Sequence, residues 1–136
     1  MTQPGPLPAL DDSNRFFWTA GRDGALRFLR CQDCGYYVHP PRPRCAACAG
    51  ERLAPEAVSG NATVASFTIN HQPWMPEMEV PFAVAIVELP EQEGLRLTTG
   101  LKGCAPEEVR IGMPVHVTFE QHEDVWLPFF APVEGA

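Results

Sequence analysis

From about Pro55 onward, apolar and polar residues alternate with a period of two in five stretches separated by turn residues: Ala62 to His71, Phe82 to Leu89, Leu95 to Leu101, Val115 to Gln121 and Val125 to Val133. Alternation of this kind marks strands with one face buried. Between the third and fourth stretches lies Cys104-Ala-Pro-Glu-Glu-Val-Arg-Ile-Gly112. A proline near the start, two acids in the first turn and a closing glycine predict one short helix there. The resulting order, β-β-β-α-β-β, is the layout of an OB-fold, a small five-stranded Greek-key barrel.

The first third of the chain has a different grain. Met1 to Leu10 holds three prolines and a glycine and reads as a mobile arm. Asp11, Asp12, Ser13 and Asn14 are capping types, so Arg15 to Ala20 predicts a helix of one or two turns ending at Gly21 and Gly24. Within it Phe16, Phe17 and Trp18 are consecutive, and successive helical positions point about 100° apart. They cannot all face one core, so at least one ring is a candidate for partner contact. From Ala25 to Leu53 the pattern is a strand (Leu26, Phe28), a CxxCG turn, a proline-rich return from His39 to Arg44 and a second CxxC turn. The expected organisation is an arm and helix over 1–24, a zinc ribbon over 25–54 and a barrel over 55–136. The class is mainly β, with a rubredoxin-like ribbon ahead of the barrel.

Cys31, Cys34, Cys45 and Cys48 are the strongest chemical signal. Two intervening residues let each pair aim both sulfurs at one point with backbone N–H groups directed at them, and ten residues between the pairs suffice for a hairpin. A glycine follows each pair, Gly35 and Gly50, where a positive φ is expected. Four thiolates filling four positions leave no place for water or substrate, so the ion, zinc in preference to iron, is expected to be structural. It replaces the core that about 30 residues cannot build. A redox CxxC needs one pair beside a βαβ unit, and the pattern contains none. Cys104, outside the set, reads as a small half-buried hydrophobe in preference to a nucleophile.

No complete catalytic constellation emerges: there is no Ser/His/Asp pattern, phosphate-cradling glycine loop or HExxH. Of the four histidines, His39 lies between the knuckles, within reach of a hydrogen bond near the metal or of the surface; His116 falls in a strand, and His122 follows it. His71 opens a loop to Pro81 rich in proline, with Trp74, Met75 and Met78. Such a loop either binds a partner or folds as a lid over its own barrel.

The net charge of -7 is unevenly spread. Residues 1 to 55 carry seven arginines against five acids, whereas 56 to 136 carry Arg96, Lys102 and Arg110 against twelve acids. Single-strand binding requires a basic groove with stacking aromatics, so nucleic acid is not the expected partner. Arg27, Arg30, Arg42, Arg44 and Arg52 in the ribbon instead suit an acidic protein surface or the phosphates of an acyl-CoA. The chain shows neither a stretch of about 18 apolar residues nor a signal-peptide pattern, which predicts a cytoplasmic protein without a membrane partner.

One ordered combination is more specific than the cysteines alone: Phe17-Trp18; Leu26-Arg-Phe-Leu-Arg-Cys31 with Cys34-Gly35; His39-Pro-Pro-Arg-Pro43 with Cys45 and Cys48; Ser59-Gly60; Ile111-Gly-Met-Pro-Val115; and Leu127-Pro-Phe129. From about Asp11 to Pro132 it resembles the zinc-ribbon/OB-fold accessory proteins that accompany thiolase-like enzymes of acyl-CoA metabolism. The His-Pro-Pro-Arg-Pro variant is most similar to domains paired with MaoC-type enoyl-CoA hydratases and with lipid-transfer-protein-like aldolases of steroid side-chain degradation. The resemblance implies a subunit that docks on a thiolase-fold aldolase or acyltransferase, helps shape its acyl-CoA tunnel and supplies no main catalytic residue.

Overall fold

The computed structural model describes residues 7–73 and 79–133. Helix α1 (Arg15–Thr19) runs into a 3-10 turn (Ala20–Asp23), followed by strands β1 (Arg27–Cys31), β2 (Tyr37–Val38), β3 (Leu53–Ala57), β4 (Asn61–Asn70), β5 (Phe82–Glu88) and β6 (Arg96–Leu101). A second 3-10 turn (Pro106–Glu108) leads to β7 (Pro114–His122) and β8 (Val125–Pro132). β2, β1 and β3 form one antiparallel sheet in that order, and β4-β5-β6-β8-β7 closes into a barrel in which β6 and β8 run parallel. The five expected barrel strands are all present, with no end displaced by more than one residue.

Three local expectations change. Instead of a helix between β6 and β7 there is the single turn Pro106–Glu108. Glu108 accepts a hydrogen bond from the Ala105 N–H at 2.8 Å, as a cap should, but Val109 is buried and takes an extended backbone to reach the core, which stops the helix. At the N-terminus no side chain caps α1: Asn14 holds the N-cap position without a side-chain bond to the helix. Asp11 Oδ1 instead accepts from Ser13 N and Asn14 N in the turn before it, while Asn14 bonds back to Asp11 and Ala9.

The third change is β3, whose Leu-Ala-Pro-Glu-Ala sequence has no alternation to announce it. Pairing with β1 makes it a strand: Gln32 N donates to Arg52 O at 2.7 Å and Val58 N donates to Leu26 O at 2.9 Å. Bonded pairs alternate along an antiparallel ladder, so Ala54 and Glu56 also face β1 and Pro55 points its missing N–H outward.

One core joins ribbon and barrel. Leu26 and Phe28 of the ribbon side are fully buried in the same cluster as Val64, Val87, Leu89, Val115 and Phe130 of the barrel. Burying each such side chain stabilises the fold by about 1.5–3 kcal/mol. Phe17 joins this core, edge-on to Trp18 at 4.9 Å and tilted on Phe28 at 6.0 Å, while Phe16 and Trp18 stay half-buried at its margin. α1 and the turn after it lie against β8, with the turn also reaching β7. Gly21 is what lets them approach: a β-carbon there would stand 2.5 Å from Trp126 Cβ and 2.6 Å from the Phe119 ring. Among the described residues no helix is long and apolar enough to cross a membrane.

Candidate metal centre

β1 delivers Cys31 at its end, and the turn that follows returns Cys34 to the same point; Cys45 and Cys48 arrive from the opposite hairpin. All four sulfurs lie within 4.8 Å of one another, with Cys31 to Cys48 and Cys34 to Cys45 both at 3.6 Å. A tetrahedral ion with metal–sulfur bonds near 2.3 Å requires sulfurs about 3.8 Å apart, so the cradle has the size of a zinc site. Cys31 and Cys45 are buried and pack with Val38, Leu29 and Leu53 in a small cluster of their own. Cys34 and Cys48 are exposed.

The backbone of each knuckle is directed at sulfur. The Cys34 and Asp33 N–H groups hold the Cys31 thiol down to about 7 against the opposing effect of burial. The Gly50 N–H also lowers Cys48, but the adjacent thiols of Cys31, Cys34 and Cys45, together with burial, push it up to about 12. Four thiols this close cannot all ionise beside one another without a cation to offset their charge. The donor set therefore fits a divalent, thiophilic ion.

The two knuckles differ in how they turn. After Cys34 the left-handed residue is Gly35, φ 82°, as expected. After Cys48 it is Ala49, φ 63°, and not the glycine. Gly50 serves proximity instead: a β-carbon there would stand 3.2 Å from Cys48 Sγ and 3.0 Å from Asp33 Oδ2.

His39 neither hydrogen-bonds near the sulfurs nor lies on the surface. Its ring is half-buried between Phe17, at 5.2 Å, and Phe28, at 4.7 Å, and its Nδ1 has no hydrogen-bond partner among the described residues. Burial pushes its pKa down to about 4. His116 is exposed and its Nδ1 lies 2.8 Å from Asn61 Oδ1; His122 Nε2 lies 3.2 Å from Glu120 Oε1. His71 is exposed at the end of β4, and the Trp74, Met75 and Met78 part of its loop lies outside the described residues. Cys104 is half-buried against the core, its thiol raised by burial and by the charge of Glu108.

The ribbon's arginines are mostly paired within their own surroundings. Arg27 meets Asp23, Arg30 meets Glu56, Arg44 meets Glu51 and Arg52 meets Asp33 at 2.7–3.4 Å. Five formal charges thus do not make a basic patch, a point that composition hides because the balancing acids are scattered along the chain.

Sequence reading missed the junction between ribbon and barrel. Gln92, in the β5–β6 turn, accepts a hydrogen bond from Tyr37 N at 2.8 Å and donates to Tyr37 O at 3.1 Å. Beside it Glu91 accepts from Ser59 N at 2.7 Å. Below this junction α1, the ribbon and β6 enclose a cleft of about 420 Å³, walled by Phe17, Trp18, His39, Pro40 and Pro41 on one side and Leu97 and Thr98 on the other.

Comparison with known proteins supports both halves of this architecture. Residues 18–54 match the rubredoxin-like zinc ribbon domain of ChsH2, and residues 55–120 match the C-terminal OB-fold domain of ChsH2. A chain of the Ltp2-ChsH2(DUF35) aldolase superposes with a TM-score of 0.83 at 36% identity, covering 93% of this chain and 98% of that one. The chain belongs to the DUF35 family. Among its curated relatives, the probable enoyl-CoA hydratase alpha subunit of Thermomonospora curvata is 38% identical over 128 residues. The 3-oxo-4,17-pregnadiene-20-carboxyl-CoA hydratase alpha subunit of Mycobacterium tuberculosis is 36% identical over 127. Each alignment covers 93% of this chain, but the chain spans only 40% of the length of either relative.

Proposed function

We propose that this DUF35 chain is a non-catalytic accessory subunit that docks on a thiolase-like, lipid-transfer-protein-type aldolase or acyltransferase acting on acyl-CoA thioesters, in steroid side-chain or related lipid degradation. The observation that carries this reading is the match, over nearly the full length of both chains, to a chain of the Ltp2-ChsH2(DUF35) aldolase. Two features support it. His39, His116, His122 and Cys104 occupy packing or pairing positions and do not converge on one cleft. The four ribbon cysteines form a closed donor set, which suits a staple for the fold and leaves no ligand position for substrate.

In this reading Cys31, Cys34, Cys45 and Cys48 ligate one zinc ion whose contribution is to hold the two knuckles together. Acyl-CoA is a ligand of the assembled complex. A MaoC-type hydratase is a second partner, consistent with the hydratase names of the relatives. Capture of acyl-CoA phosphates by this chain alone gains little support, because four of the five ribbon arginines already face carboxylates. Nucleic acid is disfavoured by the acidic barrel half.

The direct test is co-expression with the thiolase-like protein of the same organism. Co-elution on gel filtration, with enzyme activity dependent on this chain, is the expected result. Separate elution and full activity of the enzyme alone would overturn the reading.

A further inference from the structure

The solvent side of a barrel sheet ordinarily carries charge, and this protein has a net charge of -7 to distribute. Yet the outer face of β4, β5 and β6 is uncharged across its middle. Register places Ser66, Ile86 and Thr98 in one row across the three strands. Thr68, Val84 and Gly100 form the next, and Gly100 pairs onward with Phe129 of β8. The alternation of burial along β5 confirms the direction: Ala83, Ala85 and Val87 are buried, whereas Phe82 and Val84 are half-buried and Ile86 is 38% exposed.

Phe129 extends the apolar column sideways. Its ring lies across Gly100, with atoms 3.0 Å from where a β-carbon would stand, so a side chain at this position would press on the ring. Among the described residues charge returns at the margins. The Glu88–Arg96 pair, at 2.8 Å, closes one end. At the other, Lys102 sits 4.4 Å from the Phe129 ring and pairs with Glu120 at 3.0 Å. A neutral, partly apolar centre with charge confined to its rim is the anatomy of a protein–protein interface.

Through Thr98 this face continues into the cleft, which Arg96, its charge offset by Glu88, also lines and whose far wall is Trp18, Pro40 and Pro41. The continuous surface therefore spans barrel, ribbon and α1, the three parts tied together by Gln92 and the shared core. Trp18 thereby becomes the member of the aromatic triplet available to a partner.

We infer that the outer face of β4, β5 and β6, together with the Trp18 cleft, is the surface on which the partner enzyme seats, and that the partner presents an uncharged, largely apolar surface to it. This rests on the accessory-subunit reading above. A second copy of this chain is the poorer occupant, because two molecules of net charge -7 repel on approach. A separate partner is also in keeping with the two-protein name of the aldolase that the chain resembles.

The test uses the full chain, the co-expressed thiolase-like protein and two surface variants. Ile86→Lys places a charge at the centre of the face, and because Ile86 is already 38% exposed the lysine reaches solvent without entering the core. Ile111→Lys, at a position 69% exposed and outside the face, is the control. Both should keep the zinc content and circular dichroism of the parent. Titration calorimetry is expected to show Ile86→Lys weakening the partner by about tenfold or more and Ile111→Lys leaving it unchanged. Equal binding of Ile86→Lys and parent would overturn this inference while leaving the accessory reading intact. Failure of the parent itself to bind would remove the accessory reading, and the inference with it. Self-association of the parent that Ile86→Lys abolishes would assign the face to a second copy and overturn the inference.

Discussion

The Gln92 side-chain amide pairs with both main-chain polar groups of Tyr37, accepting from its N–H at 2.8 Å and donating to its carbonyl at 3.1 Å. A single side chain of the barrel thus acts as an added strand residue on the edge of β2, fixing the angle at which the ribbon sits. Gln92→Ala removes two part-buried hydrogen bonds and should lower stability by about 1–3 kcal/mol. Gln92→Glu keeps the acceptor but loses the donor to the carbonyl, so it should restore only part of that loss. Urea denaturation of the three proteins side by side measures both effects.

Gly21 lies where α1's following turn meets β7 and β8, with Trp126 Cβ 2.5 Å from the position a β-carbon would take. Gly21→Ala must push that turn off Trp126 and Phe119, and overpacking of this kind costs about 1–3 kcal/mol. A lowered thermal midpoint with unchanged zinc content is the expected outcome; an unchanged midpoint would show that the turn floats freely on the barrel.

The metal centre makes a paired prediction. Cys34→Ser should lose stoichiometric zinc by elemental analysis and be recovered in poor yield, and a strong chelator should unfold the ribbon of the parent. Ala49→Gly acts in the opposite sense, because it relieves a left-handed alanine at φ 63°. The relief of about 1 kcal/mol is partly offset by the extra freedom of glycine in the unfolded chain. The variant should therefore retain zinc and match or slightly exceed the parent in thermal stability.

His39 and Glu120 both contribute to the acid limb of stability. His39 has a folded pKa of about 4 because its ring is buried among aromatics. As pH falls below its ordinary value of about 6.5, the unfolded chain takes up a proton that the folded one refuses, so stability is lost progressively between there and about 4. His39→Phe should flatten the profile in that window.

Glu120 titrates lower down. Burial raises its pKa, but hydrogen bonds from Lys102 and His122 outweigh this and leave it below the usual glutamate value. Its contribution is present above about 4.3 and disappears as pH falls through the lower folded value. Lys102→Ala should return the Glu120 titration, followed by carboxyl NMR, toward the ordinary range.

What could be read from residues alone follows from how local the cause is. The five barrel strands were legible because apolar and polar residues alternate along their sequences, most plainly in β5, where Ala83, Ala85 and Val87 are buried. The four cysteines were legible because chelation imposes its own spacing. β3 was not, since its strand character comes from pairing with β1, many residues away, and Pro55 contradicts it locally. His39 was misplaced because spacing set it between the knuckles, whereas packing drew it to Phe17 and Phe28. Ala49 could not be foreseen as the left-handed residue, because glycine stood one position later as the more obvious choice. The Gln92 contact spans 55 positions and leaves no periodic trace.

The three-stranded ribbon has two outer edges, and each is stopped by a different device. On β3, Pro55 turns a missing donor outward; on β2, Tyr37 already has its outward groups occupied by Gln92. Neither edge offers a template on which another chain could add a strand. The ribbon is thereby shielded from edge-to-edge polymerisation, and contacts with any other molecule are left to side-chain surfaces, which discriminate by shape and charge where a bare backbone edge does not.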